Sequence, residues 1–235
     1  MEQTIETNVI KPRLSITFDE TEYRLITVET ENQLDQKISD IETFMASNHG
    51  FGQTDEYKDS LYGQAKNLWN SYASSFKDVK YTFYLNRKQY NFLTNLLLTK
   101  LEYDVNTVFL AIELTNMLGQ WSEEGKYKGD KDIKGFSADA TEITYMYHLI
   151  AKHKVKGLTA DTYLFAEVLR KIGDISKIIN YYDTSAKNLS TEIQQWVASF
   201  EPEPQKESEA TETESSEEVV SPKKTKKNKL EKVND

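Results

Sequence analysis

Apolar residues alternate with polar ones over a short stretch near the start of the chain. Thereafter they recur every three or four residues for most of its length. Leu14, Ile16 and Phe18 alternate with Ser15 and Thr17, Asp19-Glu20-Thr21 supplies a turn, and Tyr23, Leu25 and Val28 follow. A period of two predicts a β-hairpin over residues 13–29, with Ile26 disturbing the alternation at a bulge. Val79, Tyr81, Phe83 and Leu85, interleaved with Lys80, Thr82 and Tyr84, predict another strand over 79–85. A hairpin alone is marginal in water and needs a partner.

The longer period predicts about seven helices. Thr30 with Gln33 forms a capping box ahead of Leu34, Ile38, Ile41 and Met45, and His49-Gly50-Phe51-Gly52 ends that stretch. Thr54 starts the second helix, where Asp55 and Glu56 complement the helix dipole and Tyr57, Leu61, Leu68, Tyr72 and Phe76 share a face. Asn86 with Gln89 caps a third, carrying Phe92, Leu93, Leu96, Leu97 and Leu101. Asp104 starts a fourth. Val105, Val108, Phe109, Ile112 and Met117 line one side of it and Leu110, Leu114 and Leu118 another. Apolar nearly all round, it is the expected centre of the core. Residues 119–138, with four glycines, are expected to be a polar loop and a possible sub-boundary. Asp139 with Glu142 boxes a fifth helix that stops at Gly157. Thr159 opens a sixth ending at Gly173, and a seventh runs from Asp174 to Phe200 with a break near Asp183-Thr184. The expected fold class is α+β, predominantly α-helical, with a small N-terminal-side antiparallel β element.

Composition changes this picture at the ends. Apolar residues make up only 38% of the 235, yet all 27 aromatics (14 Tyr, 10 Phe and 3 Trp) precede residue 201. Residues 201–235 hold too little apolar surface to offset the entropy of ordering, and are expected to form a disordered tail, acidic over 201–218 and Lys-rich over 221–235. Residues 1–12 are expected to be a flexible N-terminus and 13–200 a single folded α+β domain. The net charge of −9 is uneven: residues 1–60 carry 13 acids and 5 bases, and residues 145–200 carry 5 acids and 7 bases. Absent cysteine removes disulfide, thiolate-metal and cysteine-nucleophile chemistry. No apolar run reaches the ~20 residues of a membrane span, and Met1–Glu6 is polar and acidic, unlike a secretory signal. The expectation is a cytoplasmic protein, or a virion component if the chain is viral. The Lys-rich end would serve as a nuclear address only in a eukaryote.

Catalytic constellations are missing. Neither phosphate-cradling glycine motif occurs, nor a G-x-S-x-G elbow. Asp130-Lys131-Asp132-Ile133-Lys134-Gly135 begins like a calcium loop. However, Lys134 replaces a ligand oxygen and Thr141 stands where a bidentate Glu is required. His148 and His153 are five apart and do not share a helix face. Glu113, between Ile112 and Leu114, is the one acid in the most apolar helix and the candidate for a buried carboxylate site. No cofactor and no metal is expected.

The leading expectation is therefore a non-enzymatic binding or assembly protein, a phage or bacterial accessory or virion-associated factor, with a protein partner and no membrane contact. Homo-oligomerisation is open to it. The alternative is a nucleic-acid-associated accessory protein. Its contacts would be Lys152, Lys154, Lys156, Lys171, Lys177 and Tyr181, joined by Lys223, Lys224, Lys226 and Lys227 of the tail. An excess of 25 lysines over 4 arginines argues against base-specific DNA reading. An enzyme built on Glu113 ranks third.

Overall fold

The structure, a computed structural model, describes residues 10–48, 54–101, 103, 105, 108–124, 127–129, 131–155 and 157–200. Residues 1–9 of the expected flexible N-terminus, the expected disordered tail 201–235, the His49–Gly52 helix stop, Asp104, Asp130 and Lys156 lie outside the described residues. Chain contacts group Met1–Glu201 as one unit and Pro202–Asp235 as another.

The hairpin forms from strands β1 (Ser15–Phe18) and β2 (Thr21–Arg24), antiparallel, with Phe18 opposite Thr21. Its two-residue turn places Asp19 at φ 45° and Glu20 at φ 67°. Both lie in the left-handed region, whose twist matches that of the flanking strands. Leu25 and Ile26 are both buried because the strand has ended, so the expected bulge is absent. Helix α1 (Val28–Ser47) begins one turn earlier than the sequence suggests. Thr27 occupies the extended cap position and its hydroxyl accepts from the Thr30 amide, which places Thr30 inside the first turn.

Helix α2 (Asp55–Lys77) follows, capped by Thr54 as expected. Strand β3 (Lys80–Asn86) runs directly into helix α3 (Arg87–Asn95) through the Asn86–Gln89 capping box. A π-turn (Leu96–Lys100) extends α3. Tyr81, Phe83 and Leu85 are buried in alternation, and Val79 just ahead of the strand continues the pattern. The partner of β3 is β4 (Ile133–Asp139), which lies within the span expected to be a loop. Only Phe136 and Ala138 on β4 face the core, too short an apolar alternation to stand out among Lys134, Gly135 and Ser137. Gly135 is required there: opposite Tyr84, a Cβ would lie 2.8 Å from Thr82 Cγ2. The Thr82 amide also donates to the Leu25 carbonyl at 2.8 Å, tying the hairpin's exit to β3.

Helix α4 (Val108–Glu124) precedes β4, and α5 (Ala140–Ala151) follows it behind the Asp139–Glu142 box. Helix α6 (Ala160–Ala198) is continuous over 39 residues, about 58 Å at 1.5 Å per residue. Neither Gly173 nor Asp183-Thr184 interrupts it, so six helices form among the described residues where seven were expected. Helix α5 ends at Ala151, capped by Lys152, and not at Gly157 as expected; Gly157 adopts the left-handed conformation at φ 74° in the connection to α6, and Gly173, the other expected stop, does not. The apolar stripe of Val168, Ile172, Ile175, Ile178, Tyr182, Leu189 and Ile193 continues across Gly173, and its burial outweighs the local cost.

This stripe, not α4, is the centre of the core. Helix α6 packs against α1, α2, α3, α5 and β3. Trp69 Nε1 and the Tyr72 hydroxyl on α2 donate to the Ala186 and Tyr182 carbonyls of α6, both at 2.8 Å. Among the described side chains of α4, Leu114, Met117 and Leu118 are the buried ones, while Val108, Phe109 and Ile112 face outward. No helix among the described residues is long and apolar enough to cross a membrane.

Candidate functional site

Among the described residues, the fold takes Lys171 out of the Lys/Tyr surface read from the sequence. Lys171 sits three residues after Val168 and four before Ile175, in the middle of the buried stripe of α6, and is 3% exposed. Its ammonium donates to the Tyr84 carbonyl at 2.6 Å and to Gln89 Oε1 at 2.9 Å, and lies 4.1 Å from the centre of the Phe18 ring. Gln89 in turn donates to Glu167. Burial pushes the Lys171 ammonium down to about 8, against an opposing pull from Glu167 and a smaller push from Arg170. Lys171 thus ties the hairpin, the end of β3 and the start of α3 to α6, and is withdrawn from any surface contact. The signal for this was available in its position on the apolar stripe.

Lys152 and Lys154 are exposed at the end of α5, near the first turns of α6, where His153 packs 5.9 Å from Phe165. Lys177 is exposed farther along α6, and Tyr181, half-buried, packs edge-on against Tyr182 at 5.1 Å. Tyr147 is half-buried and Tyr182 fully so. Lys156, Lys223, Lys224, Lys226 and Lys227 lie outside the described residues. Tyr145 and His148 instead border a groove of about 630 Å³ between α2, α5 and α6, together with Lys77, Asn180 and Asp183.

Glu113 is exposed, which removes the premise of a buried carboxylate site. In the calcium-like loop, Ile133, Lys134 and Gly135 belong to β4. Asp132 uses its carboxylate to accept from the Lys128 and Gly129 amides in the preceding turn. Among the described residues no three His, Asp or Glu side chains are grouped to hold a metal ion.

Two other features stand out. The first is the outward face of α4. Phe109 is 75% exposed, Ile112 53% and Val105, one turn before, 87%; Val108 is also exposed. Val108, Phe109 and Ile112 are three and four residues apart and share one side of the helix. Glu113 is the sole charged residue between Val105 and Trp121.

The second is a cleft of about 270 Å³ between the hairpin and α6, lined by Arg13, Ser15, Ile16, Thr17, Arg170, Asp174 and Lys177. Arg170, Asp174 and Lys177 fall on one side of α6 by their spacing of four and three. Lys177 Nζ is 2.8 Å from Asp174 Oδ1, and the Arg170 guanidinium is 3.9 Å from Oδ2, beyond hydrogen-bond length. Arg13, reaching the cleft from the start of the hairpin, donates to Thr17 Oγ1 at 3.2 Å and is 3.7 Å from Glu22. The α6 half of this cleft is legible from sequence spacing; the meeting with Arg13, 157 residues earlier, is a product of the fold. Comparison with protein-family models, with curated proteins and with solved structures gave no match for this chain.

Proposed function

We propose that the protein is a non-enzymatic binding and assembly protein, and that it docks an apolar surface of a protein partner on the outward face of α4. The observation that carries this is the exposure of Phe109 with Ile112 and Val108 on a side of α4 almost without charge, joined by exposed Val105 three residues ahead of the helix. An aromatic side chain alone brings roughly 200 Å², and a face of this kind, on the order of 500 Å², belongs with the largest apolar patches of monomers, which are often functional. A standard interface covers about 800 Å² per partner, so the partner extends past α4 onto neighbouring surface. Phe109 is placed as its aromatic anchor. The low charge of the face suits a partner selected by shape and apolar contact in spite of the chain's net −9.

The test is Phe109→Asp with Ile112→Asp in the full chain. Both positions are exposed, so the unfolding free energy is expected to stay within about 0.5 kcal/mol of wild type. Affinity purification from the native source is expected to retain a protein partner with wild type and to lose it with the double variant. A partner held equally by both, or by neither, overturns the assignment.

A further inference from the structure

We infer that the cleft between the hairpin and α6 is a binding site for a small phosphate-bearing ligand, independent of the α4 face. Two of the chain's four arginines and Lys177 converge on it, Arg13 from the hairpin wall and Arg170 and Lys177 from the α6 wall. A guanidinium presents five donors in a planar fork suited to phosphate oxygens. Arg13 spends part of its fork on Thr17 and on the distant Glu22 carboxylate, and Arg170 faces Asp174 at a length that makes no hydrogen bond. Lys177 donates to Asp174 at 2.8 Å from an ammonium with three donors. Asp174 therefore occupies the place an incoming anion would take, as a resident counter-ion held by α6 itself. The Ser15 hydroxyl is turned to Glu22 and Thr17 accepts from Arg13, so the wall of β1 supplies spacing and the cations supply the recognition.

Size and charge select the ligand class. A cleft of about 270 Å³ takes one or two phosphate groups with a small organic moiety. The hairpin wall belongs to the most acidic part of the chain, 13 acids against 5 bases over residues 1–60. A polyanion running out of the cleft would meet that like charge, whereas a compact anion confined between the three cations would not.

The experiment is titration of the full chain with inorganic phosphate, with pyrophosphate and with oligothymidylate, by calorimetry and amide NMR shifts at constant low ionic strength. Saturable binding of pyrophosphate, tighter than phosphate, is expected, with shifts centred on Arg13, Thr17, Arg170 and Lys177. Arg170→Gln and Lys177→Gln, singly and together, are expected to weaken it, the pair by about tenfold or more. Asp174→Asn is expected to tighten it by removing the resident counter-ion, an effect that a purely structural ion pair would not produce. Arg170 and Lys177 are solvent-facing and Asp174 is partly so, and circular dichroism confirms the fold of each variant. Absence of saturable binding below about 10 mM, binding unchanged in the double variant, or Asp174→Asn without gain overturns the site. Oligothymidylate binding that is lost with Arg170 and Lys177 overturns the choice of a small ligand.

Discussion

An ammonium group carried into a protein interior loses its hydration, and Lys171 recovers part of that loss from the Tyr84 carbonyl, Gln89 and the face of Phe18. The residual penalty sets a pH dependence whose sign is fixed. In the unfolded chain Lys171 titrates near 10.5, and in the folded protein near 8. Between those values the unfolded chain binds more protons, so stability rises with pH. The penalty is fully present below about pH 8 and relieved above 10.5, a span on the order of 3 kcal/mol. Tyrosines oppose it at the top. Burial, the leading cause in each, holds Tyr72, Tyr81, Tyr127 and Tyr182 protonated well above the ordinary value of 10.0. Their contribution is present below pH 10 and is lost above it. Urea midpoints of wild type are expected to climb between about pH 8 and 10, and those of Lys171→Met to stay level over that window. A level wild-type profile would contradict the placement of Lys171.

Among the elements, α6 shows where sequence periodicity is sufficient and where punctuation misleads. Its cap at Thr159 and its apolar stripe were both legible. The glycine at 173 was misjudged because a local breaker says nothing of the surface waiting to cover it. A Cβ built on Gly173 would lie 3.5 Å from Tyr147 Cε2, an ordinary contact. Gly173→Ala is therefore expected to stabilise by about 0.5–1 kcal/mol, as an unstrained helix-interior replacement, measured by the shift in urea midpoint at unchanged slope. A helix that ended at Gly173 would lose stability instead. Helix α4 taught the converse. Its apolar residues surround the helix, and the sequence ranks it as core, but among its described side chains Leu114, Met117 and Leu118 find cover while Val108, Phe109 and Ile112 do not. Periodicity reports how apolar each side is, not which side is covered. Strand β4 was illegible for another reason: a seven-residue strand with two buried side chains and a glycine forced by Tyr84 and Thr82 looks like a loop until its partner is known.

At the scale of the whole molecule, the division between residues 1–200 and the tail rests on where the aromatics are, a feature that composition displays directly. Residues 202–235 contribute no aromatic side chain to bury. A chain ending at Glu201 is expected to unfold with the same midpoint and the same denaturant slope as the full chain, because the slope follows the surface exposed on unfolding. A smaller slope in the shortened chain would place part of the tail in the folded body. The fold class and most capping residues were thus readable in advance. The basic cleft was not, since it joins Arg13 to α6 across three quarters of the folded sequence, and pairings of that separation leave no local periodicity.

The position of α6 in chain order has a consequence for synthesis. Tyr72 on α2 is 110 residues from the Tyr182 carbonyl it donates to, and Trp69 is 117 from that of Ala186. At roughly 5–20 residues per second on the ribosome, those donors emerge about 5–20 s before their acceptors. Helices α1 and α2 leave the exit tunnel with the apolar faces meant for α6 uncovered, and they stay so until the last helix of the body follows. Pairs such as α1 with α2 and β3 with β4 can meet earlier, but the core they share with α6 cannot close before α6 is made. The faces meant for α6 stay uncovered, and within reach of chaperones, until this longest helix is made.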